Sequence, residues 1–237
     1  MVLEWVLLAI GIITVAAGIG ILIYLYIRRE KQYRDAEAWY DTGLGIAHLG
    51  RLENNPELFK QAIQCYDNAL EIRENYPEAL NNKGNALYFL ARYQEAIAYF
   101  DRALELTDNR APEAWNNKGN ALAELGRCEE AIECYDYALQ LRPDYPEAWN
   151  NKGNTLTKFG RHEEAVKCLG TALKIKKDYP EAWYNMAVGL AELRDKENCI
   201  KTLKKAMKLR PRLKDHAKSN PAFAVFWGDE DFRRQLD

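Results

Sequence analysis

The chain has 237 residues, 33 Lys and Arg against 35 Asp and Glu, and a hydrophobic fraction of 48%. That length admits one or two globular domains with a sizeable core, and the near balance of charge gives no overall pull toward nucleic acid or another polyanion. With 14 Gly and 8 Pro it is neither collagen-like nor a low-complexity chain.

Residues 5–27 hold no charged side chain and are rich in Leu, Ile, Val and Ala. A helix of that length reaches roughly 34 Å, enough to cross a hydrocarbon core of about 30 Å. Trp5 at one end and Tyr24 and Tyr26 at the other suit the two interfacial belts. The segment has no basic leader, its apolar run exceeds that of a signal peptide, and no small-x-small cleavage site follows it. An uncleaved transmembrane helix is therefore expected, with 1–4 as a short extracytoplasmic N-terminus. Arg28, Arg29, Lys31 and Arg34 form a basic linker over 28–35. The positive-inside rule then places everything beyond it on the cytoplasmic side of a single-pass membrane protein.

From residue 36 the chain repeats. "PEALNNKGNALYFL" starts at Pro77, "PEAWNNKGNALAEL" at Pro112, "PEAWNNKGNTLTKF" at Pro146 and "PEAWYNMAVGLAEL" at Pro180. The steps are 35, 34 and 34 residues, the extra residue lying in "TDNRA" before Pro112. A less regular unit precedes them, with Trp39, Gly43 and Gly50, and its "AIQCYDNALEI" matches "AIECYDYALQL" from Ala131. A fixed period of this length is the mark of stacked supersecondary units.

These residues resemble the tetratricopeptide repeat (TPR) family, whose signature joins a large residue, a small one four later, a turn, Ala, an aromatic, Ala and a closing Pro. The third unit supplies Trp115, Gly119, Gly126, Ala131, Tyr135, Ala138 and Pro143. The fourth supplies Trp149, Gly153, Gly160, Ala165, Leu169 and Ala172, the second Leu80, Gly84, Ala96, Phe100 and Ala103, and the fifth Trp183, Ala187, Cys199, Leu203, Ala206 and Pro211. The resemblance implies an all-α solenoid, a right-handed superhelix of helix pairs, in five units: 36–76, 77–111, 112–145, 146–179 and 180–213. Gly84, Gly119 and Gly153 would let the two helices of a unit approach closely, and Gly126 and Gly160 would end first helices in the left-handed conformation. Pro112, Pro146 and Pro180 suit the first turn of the next helix.

Two segments depart from the pattern. An insertion at 52–58 should lengthen the turn in the first unit, with Asn54, Asn55 and Pro56 placed to cap a slightly extended second helix. Residues 214–237 abandon the period, and Phe223, Phe226, Trp227 and Phe232 suit a cap over the last apolar face. Cys65, Cys134 and Cys168 recur at one helical site, which reads as buried packing rather than metal ligation or disulfide formation.

No catalytic, metal or cofactor constellation is found: His48, His162 and His216 are scattered, and there is no phosphate-binding or nucleotide-binding loop. The strongest functional signal is a ladder of asparagines: Asn81, Asn82 and Asn85, then Asn116, Asn117 and Asn120, then Asn150, Asn151 and Asn154. Asn is a mediocre helix former, so its recurrence inside helices asks for a reason. In TPR proteins these positions of the first helix face the concave groove, which with Tyr88 and Tyr184 implies a protein partner held as an extended peptide. Asn offers both a donor and an acceptor to a peptide backbone. The competing reading, that the inner members Asn82, Asn117, Asn151 and Asn185 bond between neighbouring helices, has equal weight. Lys201, Lys204, Lys205 and Lys208 form a basic run that suits an acidic partner or lipid headgroups, or is simply a solvated face.

The expected function is thus a non-enzymatic, membrane-anchored scaffold that recruits a protein partner or helps assemble a complex. An anchor followed at once by repeats resembles the membrane-anchored TPR proteins of prokaryotes, including photosystem-assembly factors of cyanobacteria. Self-assembly into a homo-oligomer is the alternative.

Overall fold

The structure, a computed structural model, describes residues 24–230 and 232–234, and of 2–23, 231, 235 and 236 only that they lie in helices. The described chain is all-α and forms two compact units, Met1–Leu90 and Ala91–Asp237.

The first unit holds α1 (Val2–Glu53), α2 (Pro56–Ile72) and α3 (Pro77–Phe89). α2 packs between α1 and α3 through buried Phe59, Ala62, Tyr66 and Ala86, with Tyr40, Ile46 and Ala47 against them. The expectation of a single-pass membrane protein is corrected: among the described residues no helix is long and apolar enough to cross a membrane. Beyond residue 27, α1 carries Arg28, Arg29, Glu30, Lys31, Arg34, Asp35 and Glu37 within about three turns, a charge density no hydrocarbon core accepts. Most of the expected span over 5–27, and all of 1–4, lies outside the described residues.

The 52–58 insertion does not become a longer loop. α1 runs on to Glu53 and α2 starts at Pro56, so the extra residues lengthen the helices, α2 reaching 17 residues against 14 for α4. The turn is two residues: Asn54 at φ 50°, and Asn55, whose side chain accepts from the Glu57 amide at 3.0 Å. Pro56 stands at the first helical position, where its missing N–H costs nothing.

In the second unit helices follow in antiparallel pairs: α4 (Tyr93–Leu106), then α5 (Pro112–Glu124) with α6 (Cys128–Leu141), α7 (Pro146–Lys158) with α8 (His162–Ile175), and α9 (Pro180–Glu192) with α10 (Lys196–Leu209). First helices also touch one another, α5 on α7 and α7 on α9. Each pair turns by one device, an amide that reaches five residues back: Arg127 to the Leu122 carbonyl at 3.0 Å, Arg161 to Leu156 at 2.9 Å and Asp195 to Leu190 at 2.9 Å. The residue before that amide is left-handed, and Gly126 (φ 75°) and Gly160 (φ 76°) adopt this without penalty, whereas Arg194 (φ 58°) does so against its Cβ.

The extra residue in "TDNRA" is absorbed by Asp108 and Asn109, both left-handed. The register of the next helix is thereby kept. Trp115 donates its indole N–H to the carbonyl of Asn109, six residues back, as Trp149 does to Pro143 and Trp183 to Lys177, at 2.8–3.0 Å.

The tail forms α11 (Leu213–Ser219), a 3-10 turn (Pro221–Phe226) and α12 (Glu230–Leu236). Phe223 and Phe232 are fully buried, and with Phe226 they close over Ala187, Leu190, Cys199 and Leu203 of the last pair. All five cysteines are buried free thiols. Burial pushes every one of them up, Cys134 to about 11 and Cys199 to about 12, so they stay protonated and inert at neutral pH.

Close approach within a pair is strict. A Cβ at Gly119 would sit 2.7 Å from the Tyr135 ring, and one at Gly153 2.6 Å from Leu169 Cγ and 3.2 Å from the Ala165 carbonyl. Both Tyr135 and Leu169 are fully buried and have nowhere to go. Gly170, inside α8, meets nothing within 4 Å. Gly153→Ala is expected to lose stability in urea unfolding, because overpacking of about 1–3 kcal/mol exceeds the roughly 1 kcal/mol helix-propensity gain. Gly170→Ala should gain about 0.5–1 kcal/mol. Equal effects from the two substitutions would refute this account of the glycine.

Candidate functional site

The first helices α3, α5, α7 and α9 start on Pro with Glu at the next position, which suits the positive end of the helix dipole. In the second unit the shared register of α5, α7 and α9 brings their asparagines to equal heights on neighbouring helices. The second Asn of each pair donates to the first-Asn position of the preceding repeat: Asn151 to Asn116 Oδ1 at 3.0 Å, and Asn185 to Asn150 Oδ1 at 3.0 Å. Within each helix the contact runs onward, Asn116 to Asn117 at 3.4 Å and Asn150 to Asn151 at 3.3 Å. In the first unit Asn82 donates to the Tyr40 hydroxyl at 2.9 Å. At the far end Asn220, which also caps the 3-10 turn, donates to the Tyr184 hydroxyl at 3.0 Å.

This geometry divides the expected site residues. Asn116 (4% exposed) and Asn150 (6%) are buried, and their amides are engaged in the ladder. That corrects the placement of both among groove contacts: a side chain closed off from solvent between helices is not offered to a peptide. Asn81, Asn117 and Asn151 are half-buried, each with a partner inside the fold. Tyr184 is half-buried, its hydroxyl taken by Asn220 and its ring edge-on to Phe223. Tyr88 is half-buried beside Phe89.

Asn85, Asn120 and Asn154, one turn further along their helices, are half-buried like Asn81, Asn117 and Asn151 but take no part in the Asn–Asn rungs. Tyr135 donates its hydroxyl to Asn120 Oδ1 at 2.9 Å, which fixes the amide and leaves its N–H2 group as the available donor. Leu169 takes the place of Tyr135 in the next repeat and gives Asn154 no such anchor.

The repeating lysines beside the glycines do not form a cationic clamp. Lys83 pairs with Asp67, Lys118 with Asp101 at 2.6 Å and Lys152 with Asp136 at 2.5 Å, each joining a first helix to the second helix of the preceding repeat. Lys201, Lys204, Lys205 and Lys208 lie together on α10, all exposed, and among the described residues no ion pair involves them.

Sequence reasoning missed Tyr40 as the partner of Asn82 in the first unit and Asn220 as the partner of Tyr184 in the second. A signal was there for Asn220, which follows Asn185 by 35 residues, one more step of the repeat in a tail that otherwise abandons the period.

Helix pairs, left-handed turns, close-approach glycines and a between-repeat ladder define a helical-repeat protein. The repeats are tetratricopeptide repeats, and the chain belongs to that family: the model described as "TPR repeat" matches 59–90, 119–160 and 153–193, and those described as "Tetratricopeptide repeat" match 77–108 and 180–213. The uncharacterized protein MJ0572 of Methanocaldococcus jannaschii is 36% identical over 75 residues, 32% of this chain and 79% of the relative. Among solved structures, Pseudomonas aeruginosa pilF superposes with a TM-score of 0.63 at 19% identity, covering 87% of this chain and 98% of its own. TTC0263, a thermophilic TPR protein of Thermus thermophilus, gives 0.63 at 18% identity over 85% of this chain and 96% of its own. YrrB, described as a TPR protein with an unusual peptide-binding site, gives 0.57 at 23% identity over 83% and 97%.

Removing a ladder residue should cost more than removing a residue beside it. Asn150→Ala strands the half-buried Asn185 amide and is expected to lower stability by about 1–3 kcal/mol in chemical denaturation, whereas Asn154→Ala should stay within about 0.5 kcal/mol. Equal losses would show that the ladder is not what holds these helices in register.

Proposed function

We propose that this chain is a non-catalytic scaffold that holds a protein partner as an extended peptide on the face of its first helices. The observation that carries this reading is the recurrence of Asn120 and Asn154 at one helical position of α5 and α7, half-buried and outside the rungs that engage their neighbours, with Asn85 at the matching position of the repeat in the sequence. A helix interior has better residues than Asn for filling space. An amide one turn beyond a rigid row can donate to a peptide carbonyl and accept from a peptide N–H, whatever the peptide's side chains are. The ladder supports this indirectly, since a peptide gripped by repeated amides needs them held at fixed spacing, and pre-organised contacts bind at lower entropic cost. The peptide-binding site attributed to YrrB supports the same use of the fold. Recruitment or assembly of a complex is the role that such a scaffold serves.

The test is crosslinking of the full chain in its native cells, with mass-spectrometric identification of what is attached, beside a variant carrying Asn85→Ala, Asn120→Ala and Asn154→Ala. A partner held by the wild-type chain should be lost or reduced at least tenfold in the variant, whose thermal unfolding stays within a few degrees of wild type. Undiminished capture by the triple variant would sink the reading.

A further inference from the structure

The first unit contains a second feature that neither the repeat pattern nor the asparagine face explains. Beside the beginning of the repeats, α1 and the end of α2 enclose a cleft of about 390 Å³ lined by Arg29, Gln32, Tyr33, Ile72, Arg73, Glu74 and Asn75. Two guanidinium groups arrive there from different helices and share one aromatic ring. Arg29 lies 5.3 Å and Arg73 5.4 Å from the centre of the Tyr33 ring, and Arg29 donates to the Tyr33 hydroxyl at 3.1 Å. Arg73 is held from its other side by Tyr76, 4.3 Å from that ring centre.

Five other arginines are held differently. Arg92, Arg127 and Arg161 each grip a Glu three residues on in a bidentate pair, while Arg142 and Arg210 hold Glu113 and Glu181. Among the described residues Arg29 and Arg73 lie over aromatic rings and make no ion pair, Glu30 adding only a minor attraction to Arg29. Glu74 also lines the cleft, so its lining charges leave a net positive balance rather than a doubly positive one. Like charges brought together repel, and an aromatic ring at an exposed site offsets that less than a bound anion would. The hydrogen bond from Arg29, with its positive charge, holds the Tyr33 hydroxyl below the usual phenol range. Gln32 and Asn75 add neutral donors at the rim.

We infer that this cleft is a binding site for a phosphate-type anion, gripped by Arg29 and Arg73 and oriented by Tyr33, Gln32 and Asn75. Two planar guanidiniums meeting at one opening match the several acceptor oxygens of a phosphate monoester better than the single plane of a carboxylate. The phosphate can be free or part of a lipid headgroup, and the chemistry at the two arginines is the same. The site is independent of the asparagine face and does not rest on the peptide-scaffold reading.

Phosphorus NMR of inorganic phosphate and of glycerol 1-phosphate, titrated with the full chain, tests the inference. Both resonances are expected to broaden or shift saturably, and the affinity should fall at least tenfold in Arg29→Gln/Arg73→Gln. Arg73→Gln keeps the α2 cap, because that cap is made by the Arg73 backbone N–H to the Ala69 carbonyl. Arg29 is fully exposed, so Arg29→Gln alone has no route to unfolding and guards against a misfolded double variant. Co-sedimentation with neutral vesicles doped with phosphatidic acid distinguishes the sources. Arginine-dependent sedimentation at concentrations where free phosphate is not bound identifies a headgroup, and binding of both free anions without it identifies a soluble phosphate. No saturable binding to any of the three probes, or binding undiminished in both Arg29→Gln and the double variant, overturns the proposal.

Discussion

Where α5 passes α6 and α7 passes α8, the backbones come so near that no Cβ fits at Gly119 or Gly153. That separation is set by buried side chains on the opposite helix, Tyr135 in one pair and Leu169 in the next, which differ in shape but occupy the same place. Once the distance within a pair is fixed, the space left between pairs is fixed too. Trp149 fills it toward both sides, packing with Leu139 and Ala148 in one cluster and with Leu169 and Ala182 in another. A unit of this kind has no core of its own, since each buries its apolar face only against its neighbours. The asparagine ladder follows from the same geometry, because first helices held at a constant spacing and register put consecutive amides within hydrogen-bond reach every time, at 3.0 Å in both described Asn–Asn rungs.

Repetition made most of this legible in the sequence. Pro at the first helical position, Gly at the left-handed turn and Gly at the close approach each have one physical reason, and they recur at a spacing that excludes coincidence. The failures fall where the chain departs from repetition. At 52–58 the expected cap and the extended second helix are present, but the turn is not lengthened, because Asn54, Asn55 and Pro56 are by themselves a complete helix stop and start. The membrane expectation rested on hydropathy over 5–27, whereas the described part of α1 is a charged helix. At the asparagines the pattern could not separate contact from scaffold, because two Asn side by side on a helix point to different neighbours. Only the rungs show that Asn116 and Asn150 face inward while Asn120 and Asn154 are left over.

Two further rungs, one in each unit, use different chemistry. Tyr40 and Tyr184 present hydroxyls where the middle repeats present amides. A phenol reaches further than Asn and carries an apolar ring, so it satisfies the donor while packing against neighbouring apolar surface. At Tyr184 that ring is edge-on to Phe223, whose own segment starts at Asn220, the donor of the final rung. The tail is thus tied to the stack by a polar bond in the repeat's own register as well as by buried aromatics. Polar and apolar contacts specify the same docking, which is the consistency a unique fold requires.

The balanced total charge hides an uneven distribution. Between 35 and 150 acidic residues outnumber basic ones 21 to 10, and between 151 and 218 basic ones outnumber acidic 17 to 8. Part of this is structural. Asp67, Asp101 and Asp136 each hold the lysine of the following repeat, so those helices must carry an acid at that position. In α8 the position is Gly170 and the matching lysine has become Met186, so acid and base have been lost together. In α10 it is Lys204, and the segment that packs next is the aromatic tail, which does not follow the repeat. The structural demand therefore explains why the acid disappears at the end of the array, but it does not explain its replacement by a cation. Nor does it reach Lys201, Lys205 and Lys208, which project from the same helix and make no ion pair among the described residues. Net charge alone predicts no electrostatic preference for this chain. Its distribution predicts two surfaces of opposite sign, and attraction over about one Debye length, roughly 8–10 Å at physiological salt, is governed by the nearer of them.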